Sequence, residues 1–171
     1  MCAKNLDAIK PVLDGLRGLE CWYVNAGGSA GSSFSLAFGR RLPRPDPLKN
    51  PSVSEEFRLH EGEANLYVWC AWRLETEDAA LASSDQDGDH PVNVIKRLQG
   101  LALDSADVSG KALDLVLRFS NFALRIFCDH VDPDPSYEAN WELVLERRLL
   151  RAGPGFGFAE ELRPVVPTRS P

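Results

Sequence analysis

Residues 113–127 read LDLVLRFSNFALRIF. Leu113, Leu115, Leu117 and Phe119 fall on alternate positions, and alternation with period two marks a half-buried strand. A second such run follows at once, separated only by Ser120-Asn121. Two residues are the shortest common hairpin connection, and Asn accepts left-handed backbone at low cost. The stretch therefore predicts a tight antiparallel hairpin with one apolar face. A one-residue slip would turn the whole apolar row to water, so the register is well determined.

The same alternation recurs along the chain. Phe34, Leu36 and Phe38 share one face, with Ser33, Ser35 and Ala37 opposite. Leu66, Val68, Cys70, Trp72 and Leu74 form a longer row, and Trp141, Leu143 and Leu145 a shorter one. The order of segments also repeats. LRGL at 16–19 and LQGL at 98–101 each follow a Pro-Val pair, Pro11-Val12 and Pro91-Val92. Next come ECWYVNA or LALDSADV, a glycine-containing loop, SFSLAF or ALDLVLRF, FRLH or LRIF, and finally YVWCAWRLE or YEANWELVLE. Gly18 and Gly100 are 82 positions apart (100 − 18), and Trp72 and Trp141 are 69 apart (141 − 72).

Duplication of this kind calls for a reading of the fold in repeats. The expected class is mainly β (β-rich α+β): two repeated units of about four strands, each preceded by a short helix, forming a pseudo-symmetric sandwich or barrel. Each half-sheet has an apolar face to bury, most simply on the other. One domain is expected over residues 1–163, with repeats at about 9–76 and 91–158 and a flexible tail at 164–171. The helices are PVNVIKRL (91–98), with Val94, Ile95 and Leu98 apolar, and LDAIKPVLDGL (6–16), which Pro11 and Gly15 weaken. Between Phe38 and Phe57 the first copy inserts GRRLPRPDPLKNPSVSEE, whose four prolines exclude a central strand. It reads as an exposed, partly extended excursion. ETEDAALASSDQDGDHP (75–91) reads as an acidic linker between the copies.

Bulk properties narrow the function. The 171 residues are 44% hydrophobic and 26% charged, an ordinary globular balance with room for a core. The net charge of −6 argues against a protein that neutralises nucleic-acid phosphates. No apolar run reaches the length of a membrane span. No secretory signal pattern opens the chain. The four cysteines contain no C-x-x-C pair, and reduced thiols in the cytoplasm are the expectation.

Chemical motifs are few. Gly27-Gly28-Ser29-Ala30-Gly31 spells G-x-S-x-G, but a nucleophile elbow needs a helix after it, and SSFSLAF alternates like a strand. Asp85-Gln86-Asp87-Gly88-Asp89 opens like a calcium loop, yet His90 and Lys96 stand where glycine and glutamate belong. Cys128 and His130 have no partners to complete a zinc set. Gly153-Pro154-Gly155-Phe156-Gly157 lacks the ending of a phosphate loop and reads as a turn before a last strand. Trp72 and Trp141 read as core residues at matching places in the two copies. Trp69 lies on the opposite strand face, beside Tyr67, and reads as an exposed contact.

LDLVLRFSNFALRIF, followed by YEANWELVL and AGPG, resembles an uncharacterised family of small bacterial domains. The resemblance rests on Leu115, Leu117, Phe119, Asn121, Leu124, Tyr137, Glu138, Trp141, Glu142 and Leu143. It spans residues 95–158, and Phe122 stands where that family has glycine. Some such domains are suspected immunity proteins that neutralise partner toxins. The resemblance implies no catalytic residues.

The expected function is thus a non-enzymatic cytoplasmic protein-binding protein, with a toxin as candidate partner. No cofactor, metal, nucleic acid or membrane is expected. The expected partner-binding residues are Tyr67, Trp69, Arg40, Arg41, Arg44, Glu55, Glu56, Asp85, Asp87 and Asp89. An acidic surface steers basic partners toward it. The alternative is a barrel holding a small apolar ligand, with Trp22, Phe34 and Leu115 lining its interior. A hydrolase built on Ser29 or Cys128 ranks last.

Overall fold

The computed structural model describes residues 3–27, 32–110, 112–130, 139–153 and 157–163. Ser29, Tyr137, Glu138 and the expected tail at 164–171 lie outside the described residues. The protein is mainly β, with two antiparallel sheets packed into a sandwich-like fold.

The chain starts with helix α1 (Ala3–Asp14), then strands β1 (Cys21–Ala26) and β2 (Phe34–Pro43), helix α2 (Glu55–Leu59) and strand β3 (His60–Val68). It continues through β4 (Ala71–Glu75), β5 (Ala80–Ser83), helix α3 (Asp89–Ile95) with a 3-10 turn at Lys96–Leu98, and β6 (Ser105–Ser109). It ends with β7 (Asp114–Phe119), β8 (Phe122–Phe127), β9 (Trp141–Leu145), β10 (Arg148–Gly153) and β11 (Gly157–Leu162). One sheet has the order β1-β2-β3-β9-β10-β11 and the other β5-β4-β8-β7-β6. The chain thus lays three successive strands in the first sheet and crosses to place two in the second. It then lays three more in the second and crosses back.

The alternating rows face each other between the sheets. Phe34, Leu36, Phe38, Leu66, Val68, Trp141, Leu143 and Leu150 come from one sheet, and Trp72, Leu74, Leu115, Leu117, Phe119, Leu124 and Ile126 from the other. Each large aliphatic side chain so buried contributes roughly 1.5–3 kcal/mol. Ile9, Leu13 and Leu16 join this core from α1, and Val94, Ile95 and Leu98 from α3 and its 3-10 turn. Trp22 does not share this interior with Phe34 and Leu115. It packs with Ala37 and Phe57 in a second, smaller cluster.

The sheets also meet at one antiparallel bridge, Glu20 opposite Ala102. Around it, the N–H of Gly18 donates to Leu103 O and that of Gly100 to Cys21 O. The N–H of Cys21 donates to Leu101 O and that of Leu103 to Leu19 O. Gly18 and Gly100 both have left-handed backbone, with φ of 83° and 86°.

The hairpin of residues 113–127 forms with Phe119 opposite Phe122 and Ser120-Asn121 as its loop. The left-handed residue is Ser120 (φ 48°), not the expected Asn121. The Ser120 N–H donates to Asp104 Oδ2, an anchor outside the turn that local propensity does not reveal.

Five other expectations are corrected. FRLH is not a strand: α2 takes its first three residues and β3 begins at His60. Ser54 caps α2 by accepting the Phe57 N–H at 3.2 Å, which offsets the shortness of the helix. The excursion is shorter than its prolines suggest, because β2 continues through residues 39–43 beside β3. Pro43 is tolerated because β1 covers β2 only as far as Phe38. The supposed acidic linker contributes strand β5, paired with β4. YVWCAWRLE is two strands, broken at Trp69-Cys70 where the chain crosses between sheets. With β10 and β11 the described residues hold eleven strands, rather than about eight. Pro11 sits inside α1 without ending it, since it lies on the exposed side while Ile9 and Leu13 hold the other.

Candidate functional site

A cleft of about 690 Å³ opens where the ends of β1 and β2 approach the segment from β5 into α3. That volume suits a small molecule or a few side chains of a partner. Its floor is apolar: Phe34, Trp72, Pro91 and Ile95. Phe34 and Trp72 meet edge to face, with centroids 5.5 Å apart at 83°. Trp72 also fastens the two walls together. Its Nε1–H donates to Ser32 O at 2.7 Å, and its backbone N–H donates to Ser84 Oγ at 3.1 Å. A tryptophan pinned at its indole N–H and at its main-chain N–H makes a rigid floor.

The rim is polar. Gln86, Asp87, Asp89, Asn93 and Lys96 line it, with Ser32, Ser33 and Ser84 below. Gln86 is held by its side-chain oxygen, which accepts the Ser83 N–H at 3.0 Å. Asp85 stands just behind and accepts the Ser83 hydroxyl. Asp85, Asp87 and Asp89 are exposed, and none of them forms an ion pair among the described residues. The cleft thus offers hydrogen bonds, unneutralised carboxylates and a firm aromatic base.

The other expected contacts lie on a different surface, the outer face of the six-stranded sheet. Tyr67 and Trp69 stack there, half-exposed, with centroids 6.0 Å apart at 12°. Burial raises the Tyr67 hydroxyl above its ordinary value, and the charges of Arg44, Glu61, Arg163 and Glu142 reach it. Arg44 is mostly buried rather than a free contact. Its Nε–H donates to Phe57 O and His60 O at 3.1 and 2.9 Å, its guanidinium lies over the Phe57 ring, and Glu61 pairs with it at 3.5 Å. Arg41 pairs with Glu56 at 2.6 Å and covers Trp22, and Arg40 pairs with Glu63 at 3.1 Å. Glu55 stays exposed in the first turn of α2. The sequence list therefore splits into an acidic cleft and a charge-balanced outer face.

The cleft residues missing from the sequence candidates include Trp72, Asn93 and Lys96. Their signal was weak, because each sits in an apolar-periodic segment read as core or helix. Trp141 is fully buried, its Nε1–H donating to Leu113 O at 3.0 Å. Cys128 is buried and donates to the same carbonyl at 3.3 Å. Among the described residues no group of acidic, histidine and cysteine side chains is arranged to hold a metal ion. No described helix is long and apolar enough to cross a membrane. No protein-family model matches the chain, no curated protein matches its sequence, and no solved structure matches its fold.

Proposed function

We propose that this is a non-enzymatic protein-binding protein whose cleft receives a basic segment of its partner. The observation that carries the reading is the pairing of a rigid aromatic floor with Asp87 and Asp89, two rim carboxylates without cationic partners. A lysine or arginine side chain would lay its apolar stem on the floor and its charge between the carboxylates. The overall charge of −6 favours encounter with a basic surface. The resemblance to suspected immunity domains makes a toxin the first partner to try.

The test is copurification of the full chain with its native partner at increasing salt, beside an Asp87→Asn/Asp89→Asn variant. The expected result is a stoichiometric protein partner whose retention falls with salt and drops about tenfold or more in the variant. No stable partner, or retention indifferent to both carboxylates, sinks the reading.

We also infer that the two halves are copies of one unit related by a two-fold axis through the Glu20–Ala102 bridge. An offset of 82 turns Glu20 into Ala102, and turns each hydrogen bond around the bridge into another of the same set. The strand orders β1-β2-β3-β9-β10 and β6-β7-β8-β4-β5 correspond under the same operation. Trp72 and Trp141 then match, each donating its indole N–H to a carbonyl just before β2 or β7. The cleft lies at Trp72, whereas Trp141 is closed over, so the copies have diverged where binding is proposed.

A further inference from the structure

Cys70 and Cys128 are brought together by the fold. β4 and β8 run antiparallel, with Ala71 opposite Phe127 and Trp72 opposite Ile126. One further step of that register sets Cys70, in the β3–β4 crossover, opposite Cys128, just past β8. The main-chain groups of Trp72 turn toward β5, its N–H to Ser84 Oγ and its carbonyl to the Ser84 N–H. Trp72 therefore faces Ile126 across a non-hydrogen-bonded position, and Cys70, two residues away, keeps that phase. At such positions Cα atoms stand about 4.5 Å apart, inside the range that a disulfide spans. Both side chains point inward, 4% and 6% exposed, and both thiols are free. The thiols are close enough for Cys128, together with burial, to push the Cys70 thiol far above its ordinary value. Cys21 is separate, buried in β1 of the other sheet.

We propose that Cys70 and Cys128 are a disulfide site, forming a cross-strand bond that fastens the β3–β4 crossover to the end of β8. The oxidant is a small-molecule disulfide. One cysteine thiolate attacks it, forming a mixed disulfide and releasing one small thiolate. The second cysteine thiolate then attacks the protein-side sulfur and expels the other. The cysteines give up two electrons and two protons, and the small disulfide leaves as two thiols. The bond displaces the Cys128 thiol from Leu113 O, but that carbonyl keeps the Trp141 Nε1–H at 3.0 Å. Buried thiols react slowly, so the bond forms fastest during folding, while the crossover is open. In reducing surroundings the pair stays a dithiol; in oxidising ones the same fold acquires a covalent lock.

The test uses the full chain, reduced and unfolded in denaturant, then refolded in a mixture of oxidised and reduced glutathione. Alkylation and peptide mapping follow. The expected product links the Cys70 and Cys128 peptides, shows a mass loss of about 2 Da, and has a higher urea midpoint than the reduced protein. Cys70→Ala and Cys128→Ala should each lose that link. Should either variant fail to fold, the wild-type map decides alone. A bond to Cys2 or Cys21, or refolded protein with all its thiols still free, overturns the proposal.

Discussion

Asn65 pairs with Ala37 just before β2 and β3 lose simple register, between Phe38 and Arg41, and its side chain reaches Gly62 on the far side of that shift. Its side chain is buried, accepting the Gly62 N–H at 2.9 Å and donating to Gly62 O at 2.8 Å. Gly62 is required there: an added Cβ would meet Ala64 O at 2.7 Å and both Phe38 N and Phe38 O at 2.8 Å, all of them backbone. Asn65→Ala removes both hydrogen bonds and leaves a donor and an acceptor unsatisfied. At about 1–3 kcal/mol for each buried orphan, the loss should be about 2–6 kcal/mol. That is a large part of the roughly 5–15 kcal/mol a domain possesses.

Asn65→Asp sharpens the test. A protonated carboxyl can accept from Gly62 N–H and donate to Gly62 O, as the amide does. An ionised one sets a charge against the carbonyl in a buried place. The folded-state pKa of the introduced acid should therefore lie above its unfolded value. Between the two the folded state holds more protons, so stability falls as pH rises, by up to about 1.4 kcal/mol per pH unit. Urea unfolding followed by tryptophan fluorescence from pH 4 to 8, a range of about four units around the expected shift, measures both effects. A loss under about 1 kcal/mol for Asn65→Ala, or a wild-type pH profile for Asn65→Asp, would refute the reasoning.

Two further outcomes are expected. Gly18→Ala and Gly100→Ala meet no atom within 4 Å, so each should cost only left-handed strain, about 1–2 kcal/mol; a clear inequality in urea unfolding would weaken the two-copy reading. Burial alone would raise Glu75, but hydrogen bonds from Arg125 and Arg73 outweigh it and hold it below the ordinary carboxylate range. Its contribution should be present above the unfolded pKa and fade as pH falls through the lowered folded value. Glu75→Gln should flatten that part of an acid-unfolding curve by no more than about 1 kcal/mol.

The candidate site was only partly legible. Asp87 and Asp89 stood out as charges in a turn-rich segment, and they do rim the cleft. The alternation marks Trp72 as core, and it is both core and site: 4% exposed, yet the floor of the cleft. Arg44 looked like a free surface charge because its neighbours in sequence are polar and proline-rich. Its true partners, Phe57 O, His60 O and Glu61, arrive only when the excursion folds back.

By itself the sequence determined which side chains face inward, because burial of an alternating row is decided by period two alone. Leu113, Leu115, Leu117 and Phe119 are all buried, and so are Trp72 and Trp141. It could not reveal where a strand ends and its successor joins the other sheet. Val68, Cys70 and Trp72 stay buried on both sides of that crossover, because both sheets look onto one core and the alternation continues unbroken through it. Only the tertiary structure decided the exchange of strands between sheets, the capping of α2 and the meeting of Cys70 with Cys128. Each depends on hydrogen bonds or register between segments far apart in the chain, which no local pattern encodes.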